Sequence, residues 1–224
     1  MTVSLKIDFV SDVACPWCAV GLGSLQQALA KLEGQVKAEL HFQPFELNPD
    51  MAPEGQDLGE HLARKYGSTP EQQQAAWQAL RERAAAVGFE FRAQGRGRIW
   101  NTFDAHRLLH WAGLQGAAAQ TALKVALLRA YFGRGENPSD AQVLLAAVAE
   151  AGLELDPARE ILAGDRYADA VREREQFYTA HGIQAVPSVI VNDRHLIQGG
   201  QPPEVFEQAL RQIAAQAAKA TPVA

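Results

Sequence analysis

The chain has 224 residues, 47% hydrophobic and 21% charged, with a net charge of −5. That supplies a good core and excludes a disordered chain. Its interspersed charges exclude a nucleic-acid partner, and no stretch approaches the roughly 18 uninterrupted apolar residues of a membrane span.

Leu5 to Val10 reads as a first strand. The segment Met1 to Asp8 shows no basic stretch followed by an apolar core, and the expectation is a cytoplasmic protein. Asp8, on that strand seven residues before Cys15, is a candidate proton relay for Cys18; the competing reading makes Lys6 and Asp8 the wetter face of an alternating strand.

Cys15-Pro16-Trp17-Cys18 follows and holds both cysteines of the chain. A disulfide at this spacing closes almost no loop, so it removes little entropy from the unfolded state and stapling explains it poorly. In a reducing cytosol such a pair is redox-active or metal-binding. Zinc would need two further ligands from six scattered histidines. His106 and His110 stand four apart on one predicted helix but lack the Glu of a metalloprotease motif, so no metal is expected.

The spacing separates the two sulfurs by role. Leu22, Leu25, Leu29 and Leu32 continue from Cys18 at helical steps, so Cys18 should point inward. Cys15 lies one turn earlier at the helix tip, exposed, where unpartnered amides and about half a positive charge favour a thiolate. Pro16 presets the first turn and leaves the amides of Trp17 and Cys18 as the expected donors to the Cys15 sulfur. Cys15 then attacks or is attacked through a mixed disulfide, and Cys18 resolves it. Trp17 covers the site but brings no cation, which predicts a less oxidising couple than the handful of strongly oxidising dithiols with low thiol pKa.

Val36 to Phe45 reads as a second strand, completing a βαβ opening. From Leu58 the pattern turns helical: Leu58 to Tyr66, Pro70 to Val87, Phe103 to Ala112, Ala117 to Phe132, Ser139 to Glu150 and Pro157 to Ala163. The Gly95-Arg96-Gly97-Arg98 and Gly133-Arg134-Gly135 segments lack the residues of a nucleotide loop and read as flexible basic loops, with Arg96 or Arg98 available to an anionic substrate. A helix over Tyr167 to His181, strands at Ser188 to Val191 and His195 to Gln198, and a last helix opened by Pro202 complete the chain. Its alanine-rich end should fray over residues 221–224. The plan is an α/β, thioredoxin-like βαβ…αββα domain (residues 1–56 and 165–224) with a large all-helical insertion subdomain (residues 57–164).

In the run Ile183 to Val191, Pro187 stands at the entrance of a strand. A cis Val186–Pro187 bond there would turn the Val186 backbone outward beside the thiols. C-P-W-C after one strand and V-P before another resemble the thioredoxin superfamily, and the helical middle resembles its DsbA-like branch. The segments Ser11 to Gly21, Pro44 to Pro49 and Asn101 to Leu108 further resemble the FrnE-like proteins, a cytoplasmic subfamily related to 2-hydroxychromene-2-carboxylate isomerases and kappa-class glutathione transferases. The resemblance implies a late cis-proline against the sulfurs, a Val186 main chain that binds an extended substrate, and Asn48 and Asn101 near the thiol face. Asn48 and Asn101 read equally as turn or capping residues.

The expected function is a DsbA-like thiol–disulfide oxidoreductase with Cys15 as nucleophile, Cys18 as resolving thiol, and Pro16, Trp17, Val186, Pro187, Asn48 and Asn101 as substrate-binding residues. No cofactor is required, the substrates are protein or small-molecule disulfides and thiols, and glutathione is a candidate redox partner or cosubstrate. The alternative is a glutathione-dependent isomerase or transferase for a small aromatic or polyketide-like substrate; a chaperone groove is a third reading. Relatives in this branch are often dimers, so a homodimer is a further expectation.

Overall fold

Alternation decides the first strand. In β1 (Val3–Ser11), Leu5, Ile7 and Phe9 enter one buried cluster while Val10 enters another. The computed structural model describes residues 2–220, so the fraying expected over 221–224 lies outside the described residues. After β1 come α1 (Pro16–Lys31) and β2 (Val36–Pro44), then β3 (Gln56–Asp57), α2 (Leu58–Tyr66), α3 (Pro70–Ala86) and β4 (Arg98–Ile99). The helical run continues with α4 (Phe103–Gln115), α5 (Ala117–Leu128), a π-helical turn over Arg129–Arg134, α6 (Ala141–Glu150) and α7 (Leu155–Ala163). The chain closes with α8 (Ala168–Ala180), β5 (Ser188–Val191), β6 (His195–Gln198) and α9 (Pro203–Ala220).

The main sheet has the order β2-β1-β5-β6. β1 runs parallel to β2, with Val3 opposite Val36 and Ser11 opposite Pro44, as the intervening α1 crossover requires. β1 and β5 pair antiparallel, as do β5 and β6 across the Asn192-Asp193 turn. This is the expected βαβ…αββα order with a helical insertion. β3 and β4 form a separate two-stranded ribbon that the sequence reading did not include.

Local chemistry sets several helix ends. Thr69 caps α3 in a reciprocal box: the Gln72 amide donates to Thr69 Oγ1 at 3.3 Å, and the Thr69 amide donates to Gln72 Oε1 at 2.9 Å. The helix expected over Ala117 to Phe132 instead loosens at Arg129 into a wider π turn, which ends at Gly135 with φ 71°.

Two apolar clusters meet at the start of α1. Leu22 and Leu25 of α1 pack with Ile7 and Phe9 of β1 and with Phe206 and Leu210 of α9, and Cys15 and Cys18 belong to this cluster. Leu108, Leu123, Leu127, Leu144 and Ile161 of the insertion helices form the second. Val13, two residues before Cys15, belongs to the second cluster, so the turn carrying the thiols is gripped from both sides. Each large side chain buried there contributes about 1.5–3 kcal/mol, enough to hold that turn against fraying.

Candidate active site

Cys15 is the N-cap residue of α1, with φ −91° and ψ 112°, and Pro16 occupies the first helical position. The turn before it is tied by Asp12. The Asp12 carboxylate accepts from the Ala14 amide at 3.0 Å and the Leu47 amide at 2.7 Å, and its carbonyl accepts from the Cys15 amide at 3.2 Å. Arg96 Nη1 donates to the Ala14 carbonyl at 2.7 Å, with its guanidinium over the rings of Tyr131 and Phe132. Three segments distant in sequence, at Leu47, Arg96 and Tyr131–Phe132, therefore fix this turn.

Both cysteines are unbridged and buried, Cys15 at 4% exposure and Cys18 at 0%. The inward position expected for Cys18 is observed. Burial first, and then the neighbouring Cys15, push the Cys18 thiol well above an ordinary thiol, while Lys124 acts in the opposite direction. The exposed sulfur expected at Cys15 is not observed, because the loop before β5 covers it. The expected amide donors are also not there. The Cys18 amide donates to the Cys15 carbonyl at 3.0 Å, and the Cys15 side chain makes no capping bond. Instead the Cys15 thiol donates to the Val186 carbonyl at 3.6 Å.

The Val186–Pro187 peptide is cis. Pro187 Cγ lies 3.1 Å from the position a Cβ on Gly21 would take, and Gly200 would meet the Trp17 carbonyl at 2.9 Å. Glycine at both places lets α1 and the β5–β6 segment close around the thiols. Trp17 is 40% exposed, with Arg83 stacked 5.3 Å from its ring. It forms one wall of a groove of ≈ 710 Å³ lined also by Leu62, Tyr66, Trp77, Leu80 and Arg96.

Asp8 does not join the thiols. It lies on the face of β1 opposite Phe9, paired with Lys6 at 3.0 Å and with Gln43 Nε2 at 2.6 Å. The alternating strand sends Phe9, not Asp8, toward α1. Asn101 starts α4 by accepting from the Phe103 amide at 2.8 Å, and its side chain donates to the Pro49 carbonyl at 3.5 Å. Asn48 lines a different hollow of ≈ 700 Å³ with Asp57, Arg64 and Arg98. Arg96 and Arg98 do not project from flexible loops. Arg98 lies in β4 and donates to the Glu54 carbonyl at 2.8 Å, and Arg134 pairs with Glu136 at 2.8 Å and Glu150 at 3.3 Å.

His106 and His110 diverge although they are four apart on α4. His106 Nε2 lies 3.5 Å from Asp12 Oδ1, and the His110 ring packs on Tyr167 at 5.1 Å. Among the described residues, no group of three or more His, Cys, Asp or Glu could hold a metal ion.

Two features escaped the sequence reading: the Asp12–His106 contact and Lys124. Lys124 is fully buried in α5, and burial lowers its pKa while Cys18, Asp12 and Cys15 act to raise it. The signal for it was available. A lysine between Leu123 and Val125, four residues from both Gln120 and Leu128, occupies the core-facing stripe of an amphipathic helix.

A βαβ unit that delivers a Cys-x-x-Cys pair to a helix tip, covered by a cis X–Pro segment and interrupted by helices, defines a thioredoxin-fold protein. Residues 6–211 match the DSBA-like thioredoxin domain family, and the chain belongs to that family. A probable DsbA oxidoreductase from Streptomyces coelicolor is 35% identical, with 98% of this chain and 93% of that chain covered at a TM-score of 0.85. A 2-hydroxychromene-2-carboxylate isomerase shares the fold at 16% identity and a TM-score of 0.68, covering 97% of this chain and 100% of that one. The cytosolic disulfide reductase DsbM of Pseudomonas aeruginosa, solved with glutathione, does so at 17% identity and a TM-score of 0.63, covering 94% and 99%.

Proposed function

We propose that this protein is a dithiol–disulfide oxidoreductase of the DsbA-like family. Cys15 is the nucleophile and Cys18 the resolving thiol. The Cys15 thiolate attacks one sulfur of a substrate disulfide and the other sulfur leaves as a thiolate. Cys18 then attacks Cys15, forms the Cys15–Cys18 disulfide and releases the second substrate thiolate, so the substrate gains the two electrons the protein loses. The reverse sequence oxidises a dithiol substrate.

The observation that carries this reading is the contact between the Cys15 thiol and the Val186 carbonyl, with Cys18 sealed beneath it. An extended substrate segment that pairs with the Val186 main chain would take over that carbonyl and leave the Cys15 sulfur facing the incoming disulfide. Pro16, Pro187 and Trp17 frame the approach, and the apolar groove beside Trp17 suits an aliphatic or aromatic flanking group. Asn48 and Asn101 act further out, by shaping the loops at the edge of the neighbouring hollow. Glutathione is the redox partner this reading favours, supported by the glutathione bound to the DsbM neighbour. The setting is the cytoplasm, supported by that neighbour; no helix among the described residues is long and apolar enough to cross a membrane.

The test is turnover of a glutathione-linked disulfide. Cys15→Ala abolishes it, and Cys18→Ser accumulates a protein–glutathione mixed disulfide that mass spectrometry detects. Full activity in Cys15→Ala overturns the assignment. Isomerase or transferase activity that survives the double serine variant would transfer the site to glutathione chemistry without a protein dithiol.

A further inference from the structure

Three helices of different origin, α4, α5 and α8, pack on β2. Gln120 and Lys124 stand one turn apart on α5 and share a face. With His106 and His110 of α4, His41 of β2 and Arg174 of α8, they line a pocket of ≈ 170 Å³. Burial grades across it. Lys124 is 0% exposed and His106 2%, whereas His41, His110 and Arg174 are half-buried and form the rim.

The charges in this lining have one sign. No carboxylate lines the pocket, although the chain carries 26 acidic residues against 21 lysines and arginines. The hollow beside Asn48, by contrast, mixes Asp57 and Glu60 with Arg64 and Arg98. Lys124 Nζ lies 5.8 Å from the centre of the Phe42 ring and has no hydrogen-bond partner among the described residues. Gln120 cannot serve it, because its amide group is used on the Phe42 amide at 2.8 Å and on the Phe42 and Leu109 carbonyls at 3.0 Å. His106 Nε2 is likewise unpartnered. Arg174 has no ion-pair partner among the described residues, and its Nε donates to the neutral Gln43 Oε1 at 3.3 Å. The carboxylates nearby are engaged elsewhere: Asp12 accepts from two amides, and Glu39, 3.2 Å from His41, is largely exposed.

A buried ammonium without a partner is costly, and a pocket walled by cations and N–H donors favours an anion. Burial holds the Lys124 pKa down, and burial together with the Arg174 charge does the same for His110. A negative charge in the pocket acts in the opposite sense on both.

We propose that this pocket is a binding site for a small tetrahedral oxyanion of the phosphate type, held by Lys124 from the buried side and by Arg174 and His110 from the rim. Size sets the class. The pocket is well below the roughly 300–1,000 Å³ of a drug-sized ligand's site, so it accepts the bare ion and not a nucleotide. Donors arriving from three helices favour an ion with several oxygens over a halide, since each oxygen accepts its own charge-assisted bond. The site lies on β2 and the helices around it, and the proposal does not depend on the dithiol reading.

Calorimetric titration of the full chain with inorganic phosphate, at neutral pH and constant ionic strength set by chloride, tests this. One phosphate binds per chain, and AMP, which carries its phosphate on a bulky nucleoside, does not. Lys124→Met, of similar length and uncharged, and Arg174→Gln each weaken phosphate binding about tenfold or more, as the loss of one charge-assisted contact requires. Phosphate raises the thermal midpoint of the native chain and raises that of either variant less. Circular dichroism confirms folding, and should Lys124→Met not fold, Arg174→Gln at the rim decides alone. No saturable phosphate binding by the native chain, or an unchanged affinity in either folded variant, overturns the proposal. AMP binding as tight as that of phosphate also overturns it, since the anion would then sit on the open surface.

Discussion

Asp12 Oδ1 and His106 Nε2 stand 3.5 Å apart, both almost wholly buried, beneath the turn that delivers Cys15. This is an ion-pair distance without a hydrogen bond, since Nε2 has no hydrogen-bond partner among the described residues. Burial opposes ionisation of Asp12, but His106 and the amides of Ala14 and Leu47 outweigh it and hold the carboxyl below its ordinary range. A folded-state value below the unfolded one stabilises the protein above the unfolded value, about pH 4, and that stabilisation disappears as pH falls through the folded value. Asp12→Asn therefore lowers the unfolding free energy by about 2–4 kcal/mol at neutral pH. Urea midpoints measured at decreasing pH check this: the gap between variant and native chain narrows in acid, and a constant gap contradicts it.

Asp8 offers a contrast. Its carboxylate is spent on Lys6 and Gln43, on the face of β1 turned away from α1. Asp8→Asn lowers the thermal midpoint by a few degrees, in keeping with about 1 kcal/mol for a half-exposed partner. Turnover of the glutathione-linked disulfide keeps its rate and its pH midpoint. A shifted midpoint would return Asp8 to the proton path.

Gly23 marks where α1 closes on the end of α3. A Cβ there would stand 2.4 Å from the Val87 carbonyl oxygen, a backbone atom that cannot rotate away. Gly23→Ala destabilises the protein by about 1–3 kcal/mol, even though alanine favours helix over glycine by up to about 1 kcal/mol. Chemical denaturation decides the sign, and a stabilised variant refutes the close approach.

Tyr178 of α8 packs with Val10 of β1, and burial, reinforced by the Asp8 charge, pushes its phenol up to about 12. The unfolded chain ionises this tyrosine near pH 10, so the folded form retains a proton that the unfolded form has lost. Stability falls as pH rises from about 10 toward about 12. In Tyr178→Phe the fall is shallower, and ultraviolet titration of phenolate loses a late component. A late phenolate amplitude that does not shrink would place Tyr178 in water.

The order of strands and helices was legible because it depends on short-range periodicity. Leu58 to Tyr66 and Ser188 to Val191 fall where their patterns put them, and Thr69-Pro70 opens α3 by capping chemistry local to four residues. Errors arose where a distant segment intervened. Arg98 looked like part of a flexible loop because its partner Asp57 in the β3–β4 ribbon lies far along the chain. Arg96 looked available because the Ala14 carbonyl it holds belongs to another element. Ala117 to Phe132 looked like one helix because nothing in its composition marks the π turn.

The sequence by itself determined that two sulfurs lie one helical turn apart at a helix tip, one directed inward, with a proline-led strand to meet them. Spacing along a helix is a local property, fixed by 3.6 residues per turn. Only the tertiary structure decided that the Cys15 thiol is covered by the Val186 carbonyl, that Asp8 faces away, and that the insertion buries a lysine in α5. Electrostatic partners in a low-dielectric interior are set by which elements pack together, and that packing joins residues whose order in the chain carries no trace of it.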